Sequence, residues 1–379
     1  MIPVIKEENC WKTIATFILI LLSVWLIFVF SPPVFGMEKE KNKSEEKKSR
    51  LIVLPIIYYS PETKIAGGLG GIYSFHTSKS HKRSRPSSIR LGMIYTQNKQ
   101  VMVEFGPDIY LKNEDYHLRG KINFSNFSER FYGIGSNTSK EMREDFTSRI
   151  TRMNIDLQKK LFQKFYVGIH WEREHNEIVK VEEDGQLARG EILGSEPGTI
   201  SGIGFLVNRD ARNNIFSPSS GDFCLLSTTF FRAGLGSSYD FTRYRLDLRK
   251  YFPLFSSHVL AIQSYFSFIT GDPPFQMMSL MGGQYWMRGY YRGRFRDKNM
   301  VVLQMEYRLP LLWKLGMVGF LGFGDVADKV DNFILRDFKY STGFGFRYLF
   351  SREEKINVRL DFGFCKESFG VYVGVSEAF

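Results

Sequence analysis

The stretch KINVRLDFGFC, residues 355–365, decides how the rest of the chain is read. Ile356, Val358, Leu360, Phe362 and Phe364 alternate with Asn357, Arg359, Asp361, Gly363 and Cys365. A repeat of two residues belongs to an extended strand, whose side chains point to opposite faces in turn. One face is wholly apolar and the other carries charges of both signs. The pattern recurs outward along the chain. Residues 118–125 set Leu118, Ile122 and Phe124 against Arg119, Lys121, Asn123 and Ser125. Residues 165–174 set Phe165, Val167, Ile169 and Trp171 against Tyr166, His170, Glu172 and Glu174. In residues 241–250, Arg243, Arg245, Asp247 and Arg249 share one face.

This alternation runs from Leu51 to Phe379 without a helical interruption, too far for one soluble sandwich. Its charged faces suit a wet lumen and its apolar faces suit lipid. In lipid, backbone groups must pair within a closed sheet. The expected fold is therefore all-β, a transmembrane barrel of sixteen antiparallel strands: 51–59, 64–76, 87–97, 100–111, 115–127, 147–160, 164–178, 199–208, 222–233, 239–252, 257–270, 300–310, 316–326, 338–349, 355–365 and 368–379. An even count puts both ends on one side, expected to be the periplasm. The three longest connections, 128–146, 179–198 and 271–299, all fall on the other side.

Composition supports this class. The chain of 379 residues holds 35 Phe and 19 Tyr, too many aromatics for a disordered protein. Three Cys are too few for a disulfide scaffold; Cys224 and Cys365, on strands nine and fifteen, are too far apart to bridge. Beyond the N-terminus no apolar run reaches the roughly 20 residues of a spanning helix. The formal net charge is +11. Its basic residues are spread along strands, and the one dense cluster, Lys79–Arg85, lies in a turn, so nucleic acid is not an expected partner.

Ahead of the barrel, Thr13–Phe30 is almost wholly apolar and Ser31-Pro32-Pro33 breaks it. Val34 and Gly36 stand at the −3 and −1 positions of a cleavage site. Residues 1–36 read as a secretory signal peptide. Residues 37–50, MEKEKNKSEEKKSR, read as a charged, solvated linker.

No catalytic constellation is expected. His170 and His175 differ by an odd offset, which puts them on opposite faces of a strand. Neither G-x-S-x-G nor H-E-x-x-H occurs. Asp325, Asp328 and Asp331 lack the oxygen-rich loop of a Ca²⁺ site. The reading is of a non-enzyme with no metal and no cofactor.

At residues 282–310, GGQYWMRGYYRGRFRDKNMVVLQMEYRLP, the chain resembles the outer-membrane assembly-factor superfamily, also called the bacterial surface antigen family. This family holds the BamA and TamA barrels and the two-partner-secretion transporters. Met287-Arg288-Gly289-Tyr290 is similar to its loop-six signature. Asp210, Arg212 and Asn213 with Pro218 and Gly221 resemble its periplasmic turn motif. Glu306-Tyr307-Arg308 and Phe323-Gly324-Asp325 resemble its next two strands. Pro55, Tyr58, Ser60-Pro61-Glu62-Thr63 and Gly67-Gly68 look like its first hairpin, and Phe379 like the terminal aromatic of its sorting signal. The resemblance implies a 16-stranded barrel with loop six folded into the lumen, where Arg288 pairs with Glu306 and Asp325. Parity agrees for Glu306, which should face inward. Asp325 shares its face with Leu321 and Phe323, so a bulge or an aromatic in the lumen is needed there.

The well-known family members carry periplasmic POTRA modules before the barrel, and the 14 residues between Gly36 and Leu51 hold none. The expectation is a POTRA-less barrel that inserts or translocates polypeptide or lipid at a bacterial outer membrane. Its expected partners are outer-membrane lipids, an unfolded or secreted client, and a separate periplasmic chain. The seam between the first and last strands is the functional candidate, because Gly370, Tyr372, Gly374 and Ser376 offer little inner packing. A passive pore and an outer-membrane hydrolase are the alternatives.

Overall fold

The computed structural model describes residues 49–60, 63–77, 86–352 and 355–379. The signal segment 1–36, the linker up to residue 48 and the basic cluster Lys79–Arg85 lie outside the described residues.

The strands are β1 (Arg50–Ser60), β2 (Lys64–Phe75), β3 (Ser87–Thr96), β4 (Val101–Leu111), β5 (Tyr116–Phe131) and β6 (Glu144–Phe162). They continue as β7 (Phe165–Lys180), β8 (Gly198–Asp210), β9 (Gly221–Phe231), β10 (Phe241–Pro253) and β11 (Val259–Gly271). A short hairpin follows, β12 (Ser279–Met281) and β13 (Phe295–Asp297). The last five are β14 (Asn299–Pro310), β15 (Leu315–Ala327), β16 (Lys339–Ser351), β17 (Ile356–Cys365) and β18 (Phe369–Val375). All but β12 and β13 form one 16-stranded sheet in chain order, each strand antiparallel to the next. The described residues form no α-helix, only short 3-10 turns.

Burial in this sheet is inverted relative to a soluble protein. Glu306 and Asp361 are 0% exposed, whereas Phe205 is 66% and Leu69 62% exposed on the opposite face. Charges are covered and hydrocarbon is bare, as expected of strands that meet lipid outside and a polar lumen inside. The strand count and the alternation agree with the sequence reading.

Three particulars differ. β5 and β6 each run past the expected end on the long-connection side, because their ladder continues to Phe131 opposite Glu144. The small hairpin β12–β13 inside residues 272–298 carries only three residues a strand, too few for a visible alternation. The last strand stops at Val375 rather than Phe379, since Ser376 takes a left-handed φ of 69° and turns the chain out of the ladder.

The inverted burial yields a first prediction. Phe205→Arg, on the lipid face of β8, should weaken folding into phospholipid vesicles by about 2–4 kcal/mol, with Phe205→Leu near neutral. Urea titration of vesicle-inserted protein measures both.

Candidate functional site

The site is built where residues 272–298 return to the sheet. Arg288, 2% exposed, donates from Nη2 to Glu306 Oε1 on β14 at 2.6 Å and from Nη1 to Asp361 Oδ2 on β17 at 2.6 Å. Its guanidinium lies 3.6 Å from the centre of the Phe320 ring. Two carboxylates and an aromatic face satisfy a planar cation well.

Asp325 is not the second partner. It accepts from Lys339 Nζ at 2.9 Å and Ser136 Oγ at 2.6 Å. The register explains why. Glu306 pairs with Phe320 on β15, and Asp325 lies five residues further along, about 17 Å at the rise of a strand. Asp361 is level with Arg308, only two residues, or about 7 Å, from the level of Glu306.

Glycines make room for the loop. A Cβ on Gly363 would stand 2.7 Å from the Arg288 carbonyl carbon and the Gly289 nitrogen. A Cβ on Gly322 would stand 2.9 Å from Met287 Sδ. Gly289 itself has φ 115°, and a Cβ there would meet Phe364 backbone at 2.9 Å. Tyr372 on β18 completes the grip. Its hydroxyl accepts from the Gly289 N–H at 3.1 Å and donates to the Tyr290 carbonyl at 3.3 Å. The inner face of β18 is therefore well packed at Tyr372, contrary to the sequence reading, because the Tyr372 ring lies over Gly370 and the Arg359 side chain over Gly374.

The Arg288 pairs belong to a closed ring of alternating charge. Glu306 meets Arg308 at 2.9 Å, Arg308 stands 3.9 Å from Glu377, and Glu377 meets Arg347 at 2.7 Å. Arg347 returns to Asp361 at 2.6 Å, and Arg359 adds a further contact to Asp361 at 2.9 Å. Every member is buried.

The turn motif and the last residues join this ring from one side. Arg212 holds Asp210 in a two-point pair at 2.9 and 2.8 Å. Asn213 Oδ1 accepts from the backbone N–H groups of Ser219 and Ser220, and Gly221 has φ 95° against the Ala211 backbone. The shaped turn presents the Pro218 carbonyl to Arg308 Nη1 at 3.0 Å. Arg308 Nη2 also reaches the Phe379 oxygen at 3.0 Å. Phe379 is buried with Tyr251, Val259, Ala261 and Ala378. Patches read separately in the sequence thus meet at Arg308. The sequence reading gave Asp361, Arg347 and Glu377 no part in the lock and counted Tyr372 only as a seam residue; inward parity and opposite sign were the available signals for the two strand charges.

A second charged cluster lines β6, β7 and β10. His170 stands 2.5 Å from Asp156 and 3.3 Å from Glu172, and Arg243 also pairs with Glu172. His175 is exposed and bonds Thr199, so the two histidines share no site. Among the described residues, no group of three or more His, Cys, Asp or Glu is placed to hold a metal ion.

The family model for the Omp85 superfamily domain matches residues 80–364. The chain belongs to the Omp85 superfamily. Among solved structures it is similar to BamA from Haemophilus ducreyi lacking POTRA domains 1-3, with 14% identity and a TM-score of 0.59 over 87% of this chain and 70% of that one. It is also similar to CdiB from Acinetobacter baumannii, with 11% identity and a TM-score of 0.55 over 86% of this chain and 59% of that one. CdiB from Escherichia coli matches at 11% identity and a TM-score of 0.55, over 87% of this chain and 67% of that one. Comparison with curated protein sequences finds no match. These likenesses establish the barrel fold.

Two predictions follow from the ring. Arg288→Met and Asp361→Asn should each destabilise the barrel by about 1.5–3 kcal/mol, because each takes a charge-assisted contact from buried groups that keep other partners. A double-mutant cycle in urea should find strong coupling of Arg288 with Asp361 and none with Asp325. The other prediction concerns pH. Burial alone would raise the pKa of Glu377, but Arg347 and Arg308 outweigh it and hold it below the ordinary value of 4.5. A depressed folded pKa adds stability at higher pH that is lost as pH falls below that range. Hydrogen exchange at residues 376–379, corrected for intrinsic rate, should stay protected at pH 7 and lose protection below pH 4.5. Glu377→Gln should lose it already at pH 7.

Proposed function

We propose that this chain is an outer-membrane barrel that inserts or translocates polypeptide or lipid by parting β1 from β18. In this reading the short turns face the periplasm, the long connections face the cell surface, and residues 272–298 sit in the lumen as a fastened plug. The supporting observation is the seam. β1 and β18 touch, yet among the described residues no backbone ladder joins them, whereas every other neighbouring pair of the sheet is laddered. Unpaired edge groups are costly in lipid and ready to accept another strand.

The lock explains which side moves. Arg288 grips β14 and β17, and the Gly289–Tyr290 backbone grips β18. The strands on that side of the seam are tied together through the loop. Opening then swings the β1 side away from a braced β14–β18 wall. A client strand entering the gap would pair with β1 by strand addition. Periplasmic delivery falls to a separate partner chain, and residues 1–36 serve as the export signal that brings the barrel to its membrane.

A disulfide across the seam tests this. Cysteines at Val53 or Pro55 on β1 and at Val371 or Val373 on β18 should lock the barrel on oxidation. In the native bacterium the locked form should deplete client proteins from the outer membrane or the medium, and reductant should restore them. Unchanged client levels with a fully locked barrel would reject lateral opening. Ion conductance in planar bilayers with no client phenotype would identify a passive pore, and turnover of lipid or peptide in detergent a hydrolase.

A further inference from the structure

At the end of the barrel with the long connections, a cavity of about 350 Å³ opens between β5, residues 272–298 and β18. Arg130, Lys140, Arg143 and Arg294 line it, with Glu367 as the acidic member. Asp145 lies just outside, 2.5 Å from Arg143 and 3.9 Å from Arg130. Four cations against two carboxylates leave a surplus of two positive charges. Tyr132 and Tyr291 hold two of the guanidiniums in place, with Arg294 5.0 Å from the Tyr132 ring and Arg130 4.7 Å from the Tyr291 ring. Arg294 is buried and fixed by Glu367 at 2.7 Å and Thr138 at 3.0 Å. Lys140 donates to the Glu367 carbonyl, and both Lys140 and Arg143 stay open to solvent.

On the remaining wall one apolar side chain turns outward. Phe369, 68% exposed, lines the cavity and stands on the lipid-facing side of β18 directly opposite Phe364. Cationic and hydrocarbon-facing walls thus meet in one opening. A cation surplus of two matches a phosphate monoester, which carries about −1.5 to −2. Arg143 is held by Asp145 at 2.9 and 2.5 Å and offers its outer N–H groups, while Arg130, 3.9 Å from Asp145, can turn its fork to the phosphate oxygens in two-point geometry.

We propose that this cavity binds a phosphorylated lipid of the outer leaflet. The phosphate lies among Arg130, Lys140 and Arg143, and the acyl chains lie along Phe369 and Phe364. The site uses none of the ring residues around Arg288. It rests on the orientation adopted above, which places this end at the cell surface. A lipid held there sits beside β18 and next to the seam.

The test uses the full barrel in nanodiscs, probed by native mass spectrometry and titration with bis-phosphorylated lipid A, its dephosphorylated form, and inorganic pyrophosphate. Bis-phosphorylated lipid A should bind about tenfold or more tightly than the other two, and added salt should weaken it. The double variant Lys140→Ala/Arg143→Ala should lose about tenfold in affinity, and Lys140→Arg/Arg143→Lys should retain it. Phe369→Ser should weaken the lipid and leave pyrophosphate unchanged. Equal binding of the dephosphorylated lipid, or an unaltered affinity in the alanine variant, overturns the phosphate assignment. Pyrophosphate binding as well as the lipid overturns the lipid assignment. Lys140→Cys labelled on intact cells by an impermeant maleimide reads the orientation separately. If it labels only after the outer membrane is breached, the orientation has failed even where lipid binding in nanodiscs holds.

Discussion

A guanidinium or carboxylate shut away from water needs a partner of opposite sign, and this barrel meets that demand by closing the partners into a ring. Arg288, Glu306, Arg308, Glu377, Arg347 and Asp361 alternate in charge and return to their start. Losing any member takes one counter-charge from two others, and the partners they keep offset that desolvation cost only in part. The rest of the site follows from this demand. Residues 284–290 must reach the wall, so Gly322 and Gly363 leave the wall bare. The last strand must end early so that Glu377 can turn inward, and Ser376 takes the left-handed conformation that lets it do so.

The barrel was legible because its physics repeats. A two-residue period needs no knowledge of partners, and Ile356–Cys365 showed the same two faces as strands two hundred residues earlier. The site was legible only in part. Arg288 and Glu306 stood out from their motif, and parity put Glu306 inward. The second carboxylate did not, because choosing between Asp325 and Asp361 requires the register of β14 against β15, β16 and β17, and a motif carries no register. The parity conflict at Asp325 was the clue, since its neighbours Leu321 and Phe323 point to lipid. Phe379 posed a similar problem. Read as the last residue of a strand it looks exposed, but one residue with positive φ reverses its direction and buries it.

The charged clusters divide the barrel into two regimes. The ring ties residues 272–298 to the late strands, while Arg152, Glu172, Glu174, His170 and Arg243 tie β6, β7 and β10 to one another. Between them, residues 64–75 expose Ile65, Leu69 and Tyr73 on one face and carry the small residues Ala66, Gly68, Gly70 and Ser74 on the other. Side-chain tethers are therefore dense on the β14–β18 side of the seam. This asymmetry agrees with an opening in which one edge is the door and the other the frame.

The ring also has a consequence for biogenesis. Its members are drawn from Arg288 through Glu377, so the first of them is made well before the last. Until Asp361 and Glu377 are in place, Arg288, Arg308 and Arg347 lack part of their counter-charge, and residues 284–290 are only partly anchored. Completion of the ring is thereby made to wait for β17 and the residues after β18, so the grip on residues 284–290 is the last tie that this wall can make.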